Sequence, residues 1–134
     1  MASSEKDTFL SVSNYAFGAF TFDFYASILN AARLIIADEH TLLDTERLTD
    51  LIRQENVNVM FATTALFNLL TDAGEEWLKG LRCVLFGGER ASVPHVRKAL
   101  EIMGPGKLIN CYGPTEGTVF ATAHVVHDIP DSIS

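Results

Sequence analysis

At 134 residues and 48 % hydrophobic, the chain is the size of one domain and can bury a core. Ten basic against seventeen acidic residues leave a net charge of −7, which opposes the attraction to phosphate backbones on which nucleic-acid binders depend, so no nucleic-acid partner is expected. No apolar run approaches the roughly 20 residues that span a bilayer, and the start "MASSEKDTF" lacks a basic-then-apolar leader, so the expected setting is the cytoplasm with no membrane partner.

Short apolar runs alternate with longer segments of helical period along the chain. "FLSVS" is the first expected strand. "FTFDFYASILNAA" then carries Phe20, Phe24 and Ile28 on one side of a helix. "RLIIA" is a second strand, after which Asp44 is placed to cap a helix that turns Leu48, Leu51 and Ile52 to the core and stops near Asn56. "VNVMFA" is the third strand. A helix through Leu66, Leu69 and Leu70 follows, entered at Thr63 or Thr64 and ended by Gly74. "LRCVLF" is the fourth strand, and Ser92 can cap a helix with Pro94 in its first turn that buries Val96, Leu100 and Met103 and stops at Gly104. "KLINCY" is the fifth strand and "VFATAHVV" a candidate sixth. Residues 1–7 and 128–134 are expected to be flexible ends of a single unit covering 1–134.

Strand–helix alternation with short connections predicts an α/β fold, a mostly parallel open sheet of about five strands with helices on both faces. Its carboxyl edge gathers "SNYAFGAF", "FATT", "FGGER" and "NCYGPTEGT", the loops richest in Gly, hydroxyl and aromatic residues, and ligands bind at that edge of open α/β sheets. Other chemistries are poorly supported. His124 and His127 fall on opposite faces of a strand, and His40 and His95 have no acidic or Cys neighbour at ligand spacing, so no structural metal is expected. No nucleophile sits in a GxSxG-like elbow. Cys83 and Cys111 each lie in an apolar run and read as packed, reduced thiols.

The pairing of "FGGE" with "NCYGPTE", preceded by "FDFYASILNAARLIIAD", resembles the adenylation domains of nonribosomal peptide synthetases, members of the acyl-adenylate-forming ligases. The resemblance covers nearly the whole chain and implies a flavodoxin-like subdomain. It implies a nucleotide site of Gly88, Glu89, Asn110, Cys111, Tyr112, Gly113 and Thr115. In it Tyr112 stacks on adenine, Asn110 meets the adenine edge and Thr115 reaches the α-phosphate, while Glu116 helps hold Mg²⁺. Those roles suit a ring face, an amide that both donates and accepts, and a carboxylate oxygen.

The same resemblance implies an acyl pocket lined by Gly18, Ala19, Phe22, Phe61, Leu85, Gly87, Cys111, Val119 and Phe120. Apolar walls without charge suit a branched aliphatic acid, although one methylene discriminates by only about 1–3 kcal/mol. Gly18 departs from the family, whose amino-acid-activating members carry Asp there to pair with the substrate ammonium. Asp23 lies five residues too late to replace it. An unpaired, desolvated ammonium is costly. Gly18 therefore fits either a domain that activates α-keto or α-hydroxy acids, or an altered amino-acid pocket, natural or engineered. The ordinary aliphatic character of the other lining positions favours the second.

The family's phosphate loop with its Lys, its ribose-binding Asp and its catalytic Lys have no counterparts here. The chain therefore resembles the middle piece of an adenylation domain and is expected to be inactive alone. The implied cofactors are ATP and Mg²⁺ in the parent domain and phosphopantetheine on a carrier protein. The implied partners are the remainder of the adenylation domain, a peptidyl carrier protein domain and a small aliphatic acid. The alternative is a flavodoxin- or receiver-like binding module without catalysis, against which "SVSNYAFG" lacks both the acidic cluster of a receiver and a hydroxyl-rich flavin phosphate loop.

Overall fold

The computed structural model describes residues 6–12, 27–112 and 122–127. Six strands form one sheet: β1 (Thr8–Ser11), β2 (Arg33–Ile36), β3 (Val59–Thr63), β4 (Cys83–Gly87), β5 (Leu108–Tyr112) and β6 (Thr122–Val126). Their order is β2-β1-β3-β4-β5-β6. The first five are mutually parallel, and β6 runs antiparallel to β5. This is the expected mostly parallel, flavodoxin-like sheet, closed at one edge by the candidate sixth strand.

Between the strands lie α1 (Glu39–Leu42), α2 (Thr45–Gln54), α3 (Thr64–Ala73), α4 (Glu76–Lys79) and α5 (Val93–Met103). Asp44 caps α2, accepting from the amides of Glu46 and Arg47. Thr63 caps α3, accepting from Leu66 N–H, and Gly74 ends it. These caps satisfy amides that the first turn of a helix leaves unpaired. At α5 the expected cap is different in kind. Ser92 occupies the capping position without bonding the helix amides; its hydroxyl lies 2.6 Å from His95 Nδ1 instead.

Alternation along the strands sorts side chains onto two faces. Leu10, Met60, Ala62, Val84, Phe86 and Leu108 face a large core completed by Leu48 and Ile52 of α2, Phe67 and Leu70 of α3, Trp77 of α4, and Val96 and Ala99 of α5. Phe67 stacks on Phe86 with ring centroids 4.5 Å apart and meets Trp77 edge-on at 5.8 Å. The opposite face carries Phe9, Val59, Phe61, Cys83, Leu85, Ile109 and Cys111, with Ala32 and Leu34 packed against them. β2 lies on the other side of β1 from β3, so the sheet grows outward in both directions from β1. Residues 27–29, which precede β2 in the chain, are helical.

Several expected core positions are corrected. Ile28 and Leu69 are 55 % and 54 % exposed. In α3 the stripe that meets the sheet runs through Phe67, Leu70 and Thr71, because the larger ring at Phe67 takes the place next to Phe86. Leu51 and Leu100 pack only at the margin of the core. At the other end of the chain unit, Asp7 falls inside the segment expected to be flexible but is 4 % exposed. It accepts from Arg82 Nε at 2.8 Å and from Asn58 Nδ2 at 3.0 Å. Asn58 Oδ1 in turn accepts from the Thr8 amide at 2.8 Å. The amino-terminal ends of β1, β3 and β4 are thereby tied together, and the Asp7 bond raises the Arg82 pKa further.

Candidate functional site

The direction of the connections reverses at β1: the chain leaves it for β2 on one side and later passes to β3 on the other. In open α/β sheets, the crevice outside the carboxyl ends at such a reversal is where ligands bind. Here β1 and β3 are paired only at Phe9–Val59 and Leu10–Met60, whereas β3 and β4 stay paired up to Thr63–Gly87.

Cross-strand register brings residues distant in sequence into rows. Phe61, Leu85 and Ile109 align across β3, β4 and β5, and Thr63, Gly87 and Cys111 form the next row toward the carboxyl rim. Phe61, Leu85 and Cys111, all expected pocket residues, share the buried apolar cluster of the second face, which also contains Phe9, Val59, Cys83 and Ile109. Of those additional members the sequence singled out only Cys83, as a packed thiol; only strand alternation points to Phe9, Val59 and Ile109. Gly18, Ala19, Phe22, Val119 and Phe120, expected in the same pocket, lie outside the described residues.

Gly87 is required by a close approach. A Cβ there would stand 2.1 Å from the Cys111 carbonyl oxygen, a distance that β5 backbone cannot accommodate without moving. Gly88 is required by conformation, with φ of +103° and open space around its Cα. The turn they form is held from the neighbouring loop, since the buried Thr64 hydroxyl donates to the Glu89 carbonyl at 3.2 Å. Gly88 and the Glu89 side chain are exposed at the rim. The sequence offered Thr64 as part of the "FATT" rim and as a possible helix entry; its bond to Glu89 links residues 25 positions apart and has no sequence signal.

Asn110 pairs laterally with Phe86 and His124 and is half-buried. It alternates with Cys111, so the two expected nucleotide-site neighbours serve opposite faces of β5. The Cys111 side chain belongs to the apolar second face, and its thiol donates to the Ile109 carbonyl at 3.8 Å. Burial, reinforced by Cys83, pushes the Cys111 thiol up to about 12, and burial also raises Cys83. Neither thiol is ionised at neutral pH, which suits wall residues and not nucleophiles. Both are free and buried, as the sequence indicated. Tyr112 ends β5, paired with Thr122. Gly113, Thr115 and Glu116 lie outside the described residues.

One side-chain chain elsewhere has the composition of a hydrolytic triad. His95 joins Ser92 through Nδ1 at 2.6 Å and Asp72 through Nε2 at 2.8 Å. Asp72 is 70 % exposed at its side chain, whereas the orienting carboxylate of a hydrolytic triad is buried and bonds Nδ1. Lys98 beside it donates to the Thr71 carbonyl at 3.0 Å. The group clasps α3 to α5. Among the described residues no cluster of His, Cys, Asp and Glu could hold a metal, and no helix is long and apolar enough to cross a membrane.

Residues 1–133 match the family of AMP-binding enzymes. The chain is 92 % identical over 134 residues to surfactin synthase subunit 3 of Bacillus subtilis (strain 168), spanning all of this chain and 10 % of that protein. It is 51 % identical over 128 residues to surfactin synthase subunit 1 of the same organism, covering 96 % of this chain and 4 % of that one. The chain thus spans about a tenth or less of these relatives. Among solved structures it is similar to holo-PA1221, a nonribosomal peptide synthetase protein containing adenylation and peptidyl carrier domains bound to a vinylsulfonamide inhibitor. The TM-score is 0.86 at 38 % identity, over 96 % of this chain and 22 % of that one. It is also similar to the N-terminal subdomain of NpsA from Klebsiella oxytoca in complex with anthranilyl-AMSN, with a TM-score of 0.83 at 25 % identity over 93 % of this chain and 32 % of that one.

Proposed function

Since the chain belongs to the AMP-binding enzyme family, we propose that it is the substrate-selecting subdomain of a nonribosomal peptide synthetase adenylation domain, whose parent enzyme activates an aliphatic carboxylic acid with ATP. The observation that carries this reading is the rim where the apolar wall of Phe61, Leu85 and Cys111 abuts the Gly87–Gly88 turn. An acid side chain can bury against the wall while its carboxylate meets a nucleotide laid over the turn.

In the parent reaction a carboxylate oxygen attacks the α-phosphorus of ATP, an O–P bond forms, and the bond to the β-phosphate oxygen breaks with pyrophosphate leaving. This chain's part is positioning. Gly88 and Glu89 line one side of the adenine, Asn110 offers its amide to the base edge and Tyr112 its ring to the base face, while Gly113 and Thr115 approach the phosphate. Phe61, Leu85, Gly87 and Cys111, with Gly18, Ala19, Phe22, Val119 and Phe120, enclose the acyl group and exclude water. Glu116 offers the hard oxygen that Mg²⁺ prefers, and the bound metal would offset charge developing on the phosphate oxygens. The acyl group then passes to the phosphopantetheine thiol of a peptidyl carrier domain. The remainder of the adenylation domain supplies the groups that complete the reaction centre, and the chain is inactive without it.

The test is pyrophosphate exchange with aliphatic amino, keto and hydroxy acids, measured for this chain alone and after it replaces the matching segment of surfactin synthase subunit 3. Activity confined to the chimera is the expected result; turnover by the isolated chain contradicts the reading. Within the chimera, Gly18→Asp restores a counter-charge and is expected to raise kcat/KM for α-amino acids at least tenfold, on the order of one charged hydrogen bond. No gain would reject Gly18 as the residue facing the α-substituent.

A further inference from the structure

Within the described strands, the buried positions of the second face are apolar except at the end of β1. Ser11 is 1 % exposed, and its Oγ has no hydrogen-bond partner among the described residues. A buried hydroxyl without a partner is unfavourable, and such groups in native proteins call for an explanation. Two features of its position supply one. Ser11 shares strand parity with Phe9, so it turns to the same face as Phe61 and Leu85. It is also the first residue of β1 beyond the Leu10–Met60 pair, where Phe61 is the first of β3, so the two flank the point at which the connections reverse.

We propose that Ser11 is a specificity-determining residue of the acyl pocket, its hydroxyl hydrogen-bonding a polar atom near the distal end of the bound acid. This rests on the reading that Phe61, Leu85 and Cys111 wall that pocket. The depth follows from strand geometry: the Gly87–Cys111 row lies at the rim, and the Phe61–Leu85 row lies two residues further in, about 6–7 Å. An acid whose carboxylate meets the nucleotide beyond the rim therefore brings the end of its side chain, not its α-substituent, to Ser11. A serine hydroxyl is neutral and both donates and accepts, so the group it reads is a hydroxyl, ether or amide. A carboxylate or ammonium would be buried there without a counter-charge.

The experiment uses the surfactin synthase subunit 3 chimera carrying this segment. Its probes are two isosteric acids, norleucine and 5-hydroxynorvaline, together with their 2-hydroxy counterparts. Ser11→Ala is expected to lower the ratio of kcat/KM for the hydroxyl-bearing acid over its hydrocarbon isostere about fivefold, the worth of one neutral hydrogen bond. Ser11→Cys, similar in shape with a weaker donor, should lose less. Because no group of the described residues bonds the hydroxyl, the melting temperature of Ser11→Ala should stay level or rise. An unmoved ratio in an active Ser11→Ala enzyme overturns the proposal, and so does a lowered melting temperature, which would give the hydroxyl a structural role. A chimera inert towards every acid refutes the parent reading and this one together, a result distinct from an unmoved ratio.

Discussion

The two ends of the sheet are built on opposite physical terms. At the amino-terminal rim, Asp7, Asn58 and Arg82 satisfy one another across three strands, with the carboxylate almost fully buried. At the carboxyl rim the turn itself offers backbone: a glycine pressed against the Cys111 carbonyl, a second at positive φ, and the Glu89 carbonyl, which accepts from the Thr64 hydroxyl. A rim whose polar side chains bond one another has little left to offer a ligand. A rim held through its backbone keeps the Glu89 side chain exposed and the Asn110 side chain half-exposed, with the backbone open to close approach. The contrast assigns stability to one end and recognition to the other, and it can be broken from either side.

The largest expected effect is at the stability end. Arg82→Met takes the guanidinium away from the buried Asp7 carboxylate, and breaking a pair with one member buried costs up to about 3–5 kcal/mol. Urea unfolding should show that loss as a lowered midpoint, while a chimera that still folds keeps its KM for ATP and acid. A changed KM with unchanged stability would reverse the assignment. Gly87→Ala comes next, at about 3 kcal/mol, because its Cβ overlaps backbone and not a side chain that could turn aside. It differs from Arg82→Met in kind, since it moves β5 relative to β4 at the rim. It should therefore abolish pyrophosphate exchange even where the chimera remains folded by circular dichroism. Thr64→Val is smaller, about 1 kcal/mol for a single neutral hydrogen bond. Freed from Thr64, the Glu89 turn should raise KM for ATP severalfold with KM for the acid little changed.

The sequence made one end of this contrast far more legible than the other. The order of strands and helices was readable because each strand is a short apolar run and α2 and α3 begin at a capping Asp or Thr. The glycines and polar loops at the carboxyl rim announced themselves by composition. The Asp7–Arg82 bond did not, since no spacing rule connects residues 75 apart. The helices Glu39–Leu42 and Glu76–Lys79 were missed because four residues are too few to display a period. The preference for Phe67 over Leu69 in the core was settled by the shape of the space beside Phe86, which hydropathy does not encode. At the rim itself, the sequence offered Gly87 as a pocket glycine, yet the Cys111 carbonyl that forbids a side chain there emerges only from the register of β4 with β5. Ser11 drew no notice, because a serine in an apolar run is unremarkable until its burial, and its lack of a partner among the described residues, are known.

The smallest expected effect concerns the two thiols, which lie at opposite ends of the second face, Cys83 beginning β4 and Cys111 near the end of β5. Burial raises both pKa values, Cys111 to about 12 against an ordinary 9.0. A thiol whose folded pKa exceeds its unfolded one holds a proton that the unfolded chain has lost. Its contribution is intact below pH 9.0 and disappears as the pH climbs through about 12. At neutral pH the titration should therefore leave stability untouched, and above pH 9.0 unfolding by urea should become progressively easier. A thiol-specific disulfide reagent at pH 8 should leave the folded chain unmodified and label two thiols per chain once urea unfolds it, matching Cys83 and Cys111. Rapid labelling of Cys111 in the folded chain, with Cys83 protected, would show that the apolar wall opens at the recognition end. A bound acid should then slow that labelling in proportion to its occupancy, whereas labelling of Cys83 at the stability end should not respond.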